Sequence, residues 1–315
     1  MALRVVQESA ETLDYAAVGR AITAAYAARN LNPPPHDLKW RYLRGFGQRP
    51  TIFAVYQDDV RIGQAVVLVR QLADGRRIAL LADLYVDAGP SSALGAMMLY
   101  KELKAFLETE PFSLIYTLAN ETAGTLDRKI LGLVDKQPLA VTPGLFMGFG
   151  SHSGSQLGGA RWGSSLVKVA HAKDAQDMVA PLEAVGDKCD APGTLWIADD
   201  LLSRLGAPCH RYLAAKSGGL LLIAVPRRFG VVPTLVLSAR FGAGDAKAWR
   251  AALAQLVRLS KIPLVLNGTG VEVPSGLLFS SLAARFSRTF AISYRLGPDG
   301  EDLPQRLQFL DLDVM

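Results

Sequence analysis

The sequence has few residues of the kinds that build metal, redox and triad sites. Only two cysteines occur among 315 residues, Cys189 and Cys209, and they form no Cys-X-X-Cys pair. The histidines lie far apart, so they have neither the spacing of zinc ligands nor a triad pattern. The four are His36, His152, His171 and His210. We expect no bound metal, and the sequence also lacks a Gly-X-Ser-X-Gly elbow and a Walker loop.

Long apolar runs and clustered charges are scarce as well. No segment has the uninterrupted apolar length that a membrane-spanning helix needs, and residues 1–8 lack a basic region followed by an apolar core. These features predict a cytoplasmic protein with no membrane partner. The formal net charge of +5 suits an anionic ligand, but Lys and Arg are scattered, so nucleic acid is only a weak alternative partner.

The composition is that of a globular protein large enough for two domains. Half of the residues are hydrophobic and 20% are charged, which argues against long disorder. Residues 151–165 are rich in Gly and Ser and have no apolar periodicity. We therefore predict an N-terminal domain over 1–150, a linker over 151–165 and a C-terminal domain over 166–315.

Residues 78–107 are the stretch around which the first half is organised. An apolar, β-prone run ends at Val86, a turn rich in small residues follows, and apolar residues then recur at helical spacing. A strand that leads into a helix through Gly and Ser leaves backbone N–H groups at the helix N-terminus, where they suit a phosphate or pyrophosphate. The alternative is an ordinary turn in which serine side chains cap the helix.

The remaining patterns of the first half predict two helices before the strands and further strands after the central helix. In the second predicted helix, at 37–43, we expect Trp40 and Tyr42 to pack and Arg41 to be solvated. The other predicted elements are a helix at 13–29 and strands at 51–56, 61–70, 112–118 and 139–149.

The second half repeats this order of elements, which predicts a diverged tandem duplication. We match the strand at 220–225 to the strand around 53–55, and Asn267 to Asn120. The predicted helices are 174–185, 197–205, 245–259 and 274–286, the other strands are 231–241 and 263–266, and the chain ends in a hairpin of 289–296 with 305–312.

On these residues the first half resembles the GNAT superfamily of acyl-CoA-dependent N-acyltransferases, and the whole chain resembles a tandem GNAT protein. The resemblance implies an α/β fold with two GNAT-like domains, each a mostly antiparallel mixed sheet flanked by helices. It also implies acetyl-CoA or another acyl-CoA as co-substrate. The residues implied to bind it are Val86, Ser91, Ser92, Ala93, Leu94, Gly95, Ala96 and Asn120.

The sequence departs from the family pattern at the implied pyrophosphate loop. If Gly95 fills the first small position, Ser92 replaces the expected Arg or Gln and Met97 replaces a Gly or Ala. In the other register Pro90 occupies the basic position. At the corresponding turn of the second half, Asp245 would repel a pyrophosphate, and it can instead cap the helix that follows.

The central strand contains one acid, Asp83, which is the candidate general base for deprotonating an amine. A hydrogen-bonded structural Asp is the alternative. The helix after Asn120 lacks the tyrosine acid that the resemblance implies, and Tyr85 is a weak substitute for it. We therefore expect an N-acyltransferase, most simply an N-acetyltransferase, that acts on a small or amino-acid-like amine. A non-catalytic scaffold that binds a ligand or protein is the alternative, and a homodimer stays open.

Overall fold

A computed structural model of the chain describes residues 2–28, 37–45, 48–72, 74–87, 89–118, 121–138, 141–146, 166–168, 198–206, 212–279, 291–303 and 307. The predicted linker at 151–165 and the predicted helix at 174–185 lie outside these residues. So do Asn120, both cysteines and all four histidines. Within the described part, no helix is long and apolar enough to cross a membrane.

The first half contains the predicted helices and strands in the predicted order, together with two strands that were not predicted, β1 before the first helix and β6 after the last. The helices are α1 (Tyr15–Ala27), α2 (Leu38–Trp40), α3 (Ser92–Glu108) and α4 (Glu121–Leu126). A π-helical turn follows α2 at Arg41–Gly45, and another follows α4 at Asp127–Leu131. The strands are β1 (Leu3–Glu8), β2 (Thr51–Gln57), β3 (Val60–Gln71), β4 (Arg77–Val86), β5 (Leu114–Thr117), β6 (Asp135–Pro138) and β7 (Thr142–Phe146).

The second half repeats much of this series. Its helices are α5 (Ala198–Leu205) and α6 (Ala246–Ser260). Its strands are β8 (Leu166–Lys168), β9 (Leu213–Ser217), β10 (Leu220–Phe229), β11 (Val232–Phe241), β12 (Leu264–Asn267), β13 (Leu278–Phe279) and β14 (Ala291–Leu296). The predicted helix at 274–286 is wrong over its first residues, because Leu278 and Phe279 form a strand instead.

Two seven-stranded mixed sheets have the same internal order. The first runs β1-β2-β3-β4-β5-β14-β6, and the second runs β8-β9-β10-β11-β12-β7-β13. Most neighbours are antiparallel, whereas β4 with β5 and β11 with β12 are parallel and are joined through α3 and α6. The predicted fold class, two GNAT-like sheets flanked by helices, is therefore confirmed.

Each sheet takes its sixth strand from the other half of the sequence. β14, near the C-terminus, pairs antiparallel with β5 through Ser293–Thr117 and Leu296–Leu114. β7, from the first half, pairs antiparallel with β12. The chain accordingly divides into one unit of Met1–Gln137 with Ala291–Pro304, and a second formed chiefly by Pro138–Gly206 with His210–Phe290. These units are not contiguous in sequence.

The hairpins within each sheet correct the predicted alignment of the two halves of the sequence. β9 and β10 form the hairpin that corresponds to β2 and β3, so the strand at 220–225 matches β3 rather than the strand around 53–55. The structural counterpart of β2 is the shorter β9, whose sequence LAAKS gives a weak strand signal.

The core of the first unit lies between α3 and one face of its sheet. Leu99, Tyr100 and Leu103 of α3 pack with Val55, Val67, Ala79 and Leu81 of the strands. Gly95 also faces the sheet, and a Cβ atom added to it would lie 3.3 Å from Ile62 Cδ1 and 3.5 Å from Val55 Cγ2. The glycine therefore permits the first turns of α3 to pack closely on β2 and β3.

Candidate acyl-CoA site

A β-bulge interrupts the central strand β4 at Asp83. Val66 pairs with Ala82 and Gln64 pairs with Tyr85, so Ala65 of β3 opposes both Asp83 and Leu84. Asp83 has a φ of 46°, which is unusual for a residue other than glycine. The neighbouring strand accommodates the bulge at Gly63, where an added Cβ would lie 2.6 Å from the Tyr85 carbonyl oxygen.

Both carboxylate oxygens of Asp83 accept hydrogen bonds from the π-helical turn after α2. Arg41 Nη2 lies 3.0 Å from Oδ1, and the Tyr42 hydroxyl lies 2.8 Å from Oδ2. The expectation that Arg41 is solvated is wrong, since only 5% of its side chain is exposed. An acid inside a strand requires a partner when it is shielded from water, and Arg41 provides it.

A chain of buried side chains continues behind Tyr42, on the sheet face opposite α3. The Tyr42 hydroxyl accepts from Gln64 Nε2 at 2.7 Å, and Gln64 Oε1 accepts from Arg61 at 2.8 Å. Arg61 in turn is paired with Glu8 of β1. Burial, followed by the nearby Asp83 charge, raises the pKa of Tyr42 well above its usual value. Tyr42 is therefore a neutral hydrogen-bond donor to Asp83.

Tyr85, the predicted substitute acid, lies beside this chain with 4% of its surface exposed. Its hydroxyl is near the Arg61 guanidinium but makes no hydrogen bond of good geometry among the described residues. Burial is the main cause that raises its pKa to about 12. Tyr85 is consequently protonated at neutral pH.

Strands β4 and β5 stop pairing immediately before the bulge. Parallel pairing covers Ile78 to Leu81 and ends with Leu81 opposite Thr117, whereas β4 continues to Val86. The Thr117 hydroxyl donates to the Leu81 carbonyl at 3.0 Å, which stabilises the point where the strands part. Within the described residues, the last five residues of β4 thus have no partner in β5.

Past Val86, the chain turns into α3 through the predicted loop. Ser91 is the N-cap residue, but its side chain makes no capping hydrogen bond, and the first turn contains no acidic residue. The backbone N–H of Ser92 donates to Gly89 and that of Gly95 donates to Ser91. The N–H groups of Ala93 and Leu94 lie in the first turn, where no intrahelical acceptor exists. Their position suits an anion.

Ser92 and Met97, which depart from the family pattern, both lie in the first turns of α3. Met97 is 58% exposed, and Ser92 is partly buried. Ala96 is partly buried, and Gly95 faces the core. The side chain of Met97 therefore leaves the packing of α3 on the sheet unchanged.

The corresponding helix terminus of the second unit is closed. Asp245 is the N-cap residue of α6, and its carboxylate accepts from the Ala248 N–H at 2.8 Å. The predicted capping role is confirmed. Asn267, at the end of β12, uses its amide within its own loop, where it donates to the Val271 carbonyl and accepts from Thr269. The Asp245 carboxylate therefore occupies one of the first-turn N–H groups and places a negative charge where an anion would bind.

The first unit also contains a buried carboxyl that sequence analysis did not single out. Asp127 is 1% exposed at the start of the second π-helical turn, and Oδ1 accepts from the Tyr100 hydroxyl of α3 at 2.8 Å. Its Oδ2 has no hydrogen-bond partner among the described residues. Burial raises the pKa of Asp127 to about 6.

This raised pKa predicts how stability changes with pH. Between the usual value of 3.8 and about 6, the folded protein binds more protons than the unfolded chain, so stability falls as pH rises through this window. The difference corresponds to about 3 kcal/mol. We expect Asp127→Asn to remove this loss, as measured by urea unfolding at pH 4 and pH 7.

The matched control is Asp59→Asn, because the Asp59 side chain is fully exposed. This variant should keep the pH dependence of the wild type. An Asp127→Asn protein that still loses the same stability between pH 4 and pH 7 would show that another group is responsible.

The described residues form no group of three or more His, Cys, Asp or Glu side chains that could hold a metal ion. The structure brings Asp83 and Tyr85 together at the bulge and the loop residues together at the helix terminus. Sequence analysis missed Arg41, Gln64 and Asp127. For Arg41 a signal existed, since an acid in an apolar strand implies a buried cation.

Comparisons with known proteins identify the fold. No protein-family model matches the chain, and no curated protein matches its sequence. Among solved structures, the chain is similar to a GCN5-related N-acetyltransferase from Kribbella flavida, with a TM-score of 0.56 and 16% identity over 94% of this chain and 71% of that one.

Two further solved structures have the same architecture. A tandem GNAT protein from the clavulanic acid biosynthesis pathway has a TM-score of 0.53 and 14% identity over 95% of this chain and 100% of that one. N-myristoyltransferase from Saccharomyces cerevisiae, with bound myristoyl-CoA, has a TM-score of 0.52 and 8% identity over 99% of this chain and 85% of that one. The chain therefore has the tandem GNAT fold.

Proposed function

We propose that this protein is an acyl-CoA-dependent N-acyltransferase and that its first unit binds the acyl-CoA. The observation that carries the proposal is the N-terminus of α3, which has neither a side-chain cap nor an acid in its first turn. It follows, after a short loop, the end of β4 that, among the described residues, pairs with β3 but not with β5. The similar structures include an N-acetyltransferase and an N-myristoyltransferase with bound myristoyl-CoA.

The residues of the first unit fit such a co-substrate. The backbone N–H groups of Ala93 and Leu94 lie at the positive end of a 17-residue helix and would hold the pyrophosphate. The β4 backbone up to Val86 offers hydrogen-bonding groups that β5 does not use. These would bind the amide groups of the pantetheine arm. Asn120, the remaining predicted contact, lies outside the described residues.

The proposed reaction transfers an acyl group to a small or amino-acid-like amine. Acyl-CoA supplies a thioester: the acyl carbon bonds to the amine nitrogen, the bond to sulfur breaks, and the amine proton ends on the departing thiolate. Asp83 and Tyr85 are the candidates for moving this proton. Tyr85 is protonated at neutral pH because of its raised pKa, so it can only donate.

The test is an acceptor screen with acetyl-CoA. The full-length protein is incubated with acetyl-CoA and a panel of amino acids, polyamines and amino sugars, and thiol release and acylated products are measured. We expect at least one amine to raise thiol release and to appear as its N-acetyl derivative in mass spectra. If acetyl-CoA binds but no amine is acylated, the protein is a ligand-binding scaffold instead.

A further inference from the structure

The side chains around Asp83 have a fixed hydrogen-bond direction. Arg61 can only donate, so Gln64 presents its oxygen to Arg61 and its amide N–H to Tyr42. Tyr42 accepts that bond and donates its own hydrogen to Asp83 Oδ2. Asp83 must therefore accept, and its other oxygen accepts from Arg41.

This arrangement favours a structural role for Asp83 over a role as general base. Both carboxylate oxygens already accept a hydrogen bond, and protonation of Asp83 would leave Arg41 beside a neutral group in a buried site. What Asp83 contributes is its backbone conformation, with a φ of 46° at the bulge. Asp adopts the left-handed region more readily than most residues, and two hydrogen bonds hold it there.

We propose that Arg41 and Tyr42 are positioning residues that hold Asp83 in its left-handed conformation, and that the resulting bulge orients the β4 backbone toward the acyl group. This inference rests on the proposed binding of acyl-CoA in the first unit. It assigns Asp83 a conformational role in place of proton transfer. The bulge lies where β4 has left β5, so its backbone groups can contact a ligand there.

The test separates conformation from charge with two double variants. Arg41→Met/Asp83→Gly and Arg41→Met/Asp83→Ala both lack the ion pair and differ by one methyl group. Glycine adopts positive φ without strain, whereas alanine does not. Each protein is titrated with CoA and with acetyl-CoA. Damage to the whole fold would weaken the binding of both ligands, whereas displacement of the acyl-binding backbone would weaken the binding of acetyl-CoA alone.

We expect the wild type and the Gly variant to bind acetyl-CoA more tightly than CoA, and the Ala variant to lose this preference by about tenfold. The inference would be overturned if both double variants prefer acetyl-CoA over CoA to the same extent. It would also be overturned if both lose this preference and still bind CoA. A wild type that binds CoA without preferring acetyl-CoA would overturn it as well. If the double variants do not fold, Asp83→Asn and Asp83→Ala give the same comparison, since Asn also tolerates positive φ. A wild type that binds neither ligand would refute the proposed function instead.

Discussion

Ser91→Asp should weaken acyl-CoA binding by about tenfold or more while leaving the protein folded. The substitution copies the closed helix of the second unit, where Asp245 accepts from the backbone N–H three residues later. In α3 the new carboxylate would accept from the Leu94 N–H and remove it from the proposed pyrophosphate site. It would also place a negative charge beside a first turn that otherwise contains no acidic residue.

The expected effect is large because charge and hydrogen bonding act in the same direction. At an effective dielectric constant of about 20, two charges about 5 Å apart repel by roughly 3 kcal/mol. Even half of this value weakens binding about tenfold. Stability should rise by up to about 1 kcal/mol, because Asp caps a helix well. Calorimetric titration with acetyl-CoA and urea unfolding measure the two effects.

The matched control is the reverse change in the second unit. Asp245→Ser should lower stability by a few tenths to about 1 kcal/mol and leave the affinity for acetyl-CoA unchanged. Ser91→Ala should retain binding, because the serine side chain makes no capping bond. If Ser91→Asp binds acetyl-CoA as well as the wild type, the ligand does not lie at the α3 terminus.

Arg41→Met should destabilise the first unit by about 3 kcal/mol. The Arg41 side chain is 5% exposed and the Asp83 side chain is 14% exposed, so removal of the cation leaves a largely buried charge with Tyr42 as its one remaining side-chain donor among the described residues. Met retains most of the volume of the aliphatic stem, which limits any cavity. Urea unfolding at neutral pH measures the loss.

Removing the second charge should restore most of this stability. Arg41→Met/Asp83→Asn contains no buried charge at this position, and its side chain at 83 can still accept from Tyr42. Arg4→Met is the surface control, because the Arg4–Asp59 pair is exposed at both ends and should contribute less than about 1 kcal/mol. A single Arg41→Met variant as stable as the wild type would show that Asp83 does not depend on Arg41.

Local sequence patterns were sufficient to predict most helices and strands. Helix 13–29 corresponds to α1, whose buried Val18, Ile22 and Ala25 recur at helical spacing above an Asp14 cap. The central strand and helix are equally clear in the sequence, and they were confirmed as β4 and α3. Each of these signals lies within a few residues of the element it predicts.

The strand exchange could not be predicted in the same way. The residues of β14 and β5 that pair lie far apart in the sequence, and a strand pattern does not specify its partner. The predicted pairing in a C-terminal hairpin is wrong: β14 was found as a strand, but its two neighbours in the sheet are β5 and β6. Its predicted hairpin partner, 305–312, is almost entirely outside the described residues.

The candidate site was likewise predicted in part. Asp83 stood out because it is a single acid in an apolar strand, and the α3 terminus stood out because small residues precede a helix. Arg41, the partner of Asp83, was predicted to be solvated, because the two residues are 42 positions apart and nothing in the local sequence connects them. The left-handed φ of Asp83 also depends on contacts that only the folded chain creates.

The most direct test of the account is a calorimetric titration of the wild-type protein with acetyl-CoA and with myristoyl-CoA. We predict one site per chain with a dissociation constant on the order of micromolar, because α3 offers free N–H groups and α6 is capped by Asp245. The ligand that binds more tightly, acetyl-CoA or myristoyl-CoA, then indicates the length of acyl chain that the site accepts. Absence of binding by both ligands, or two equivalent sites per chain, would contradict the account.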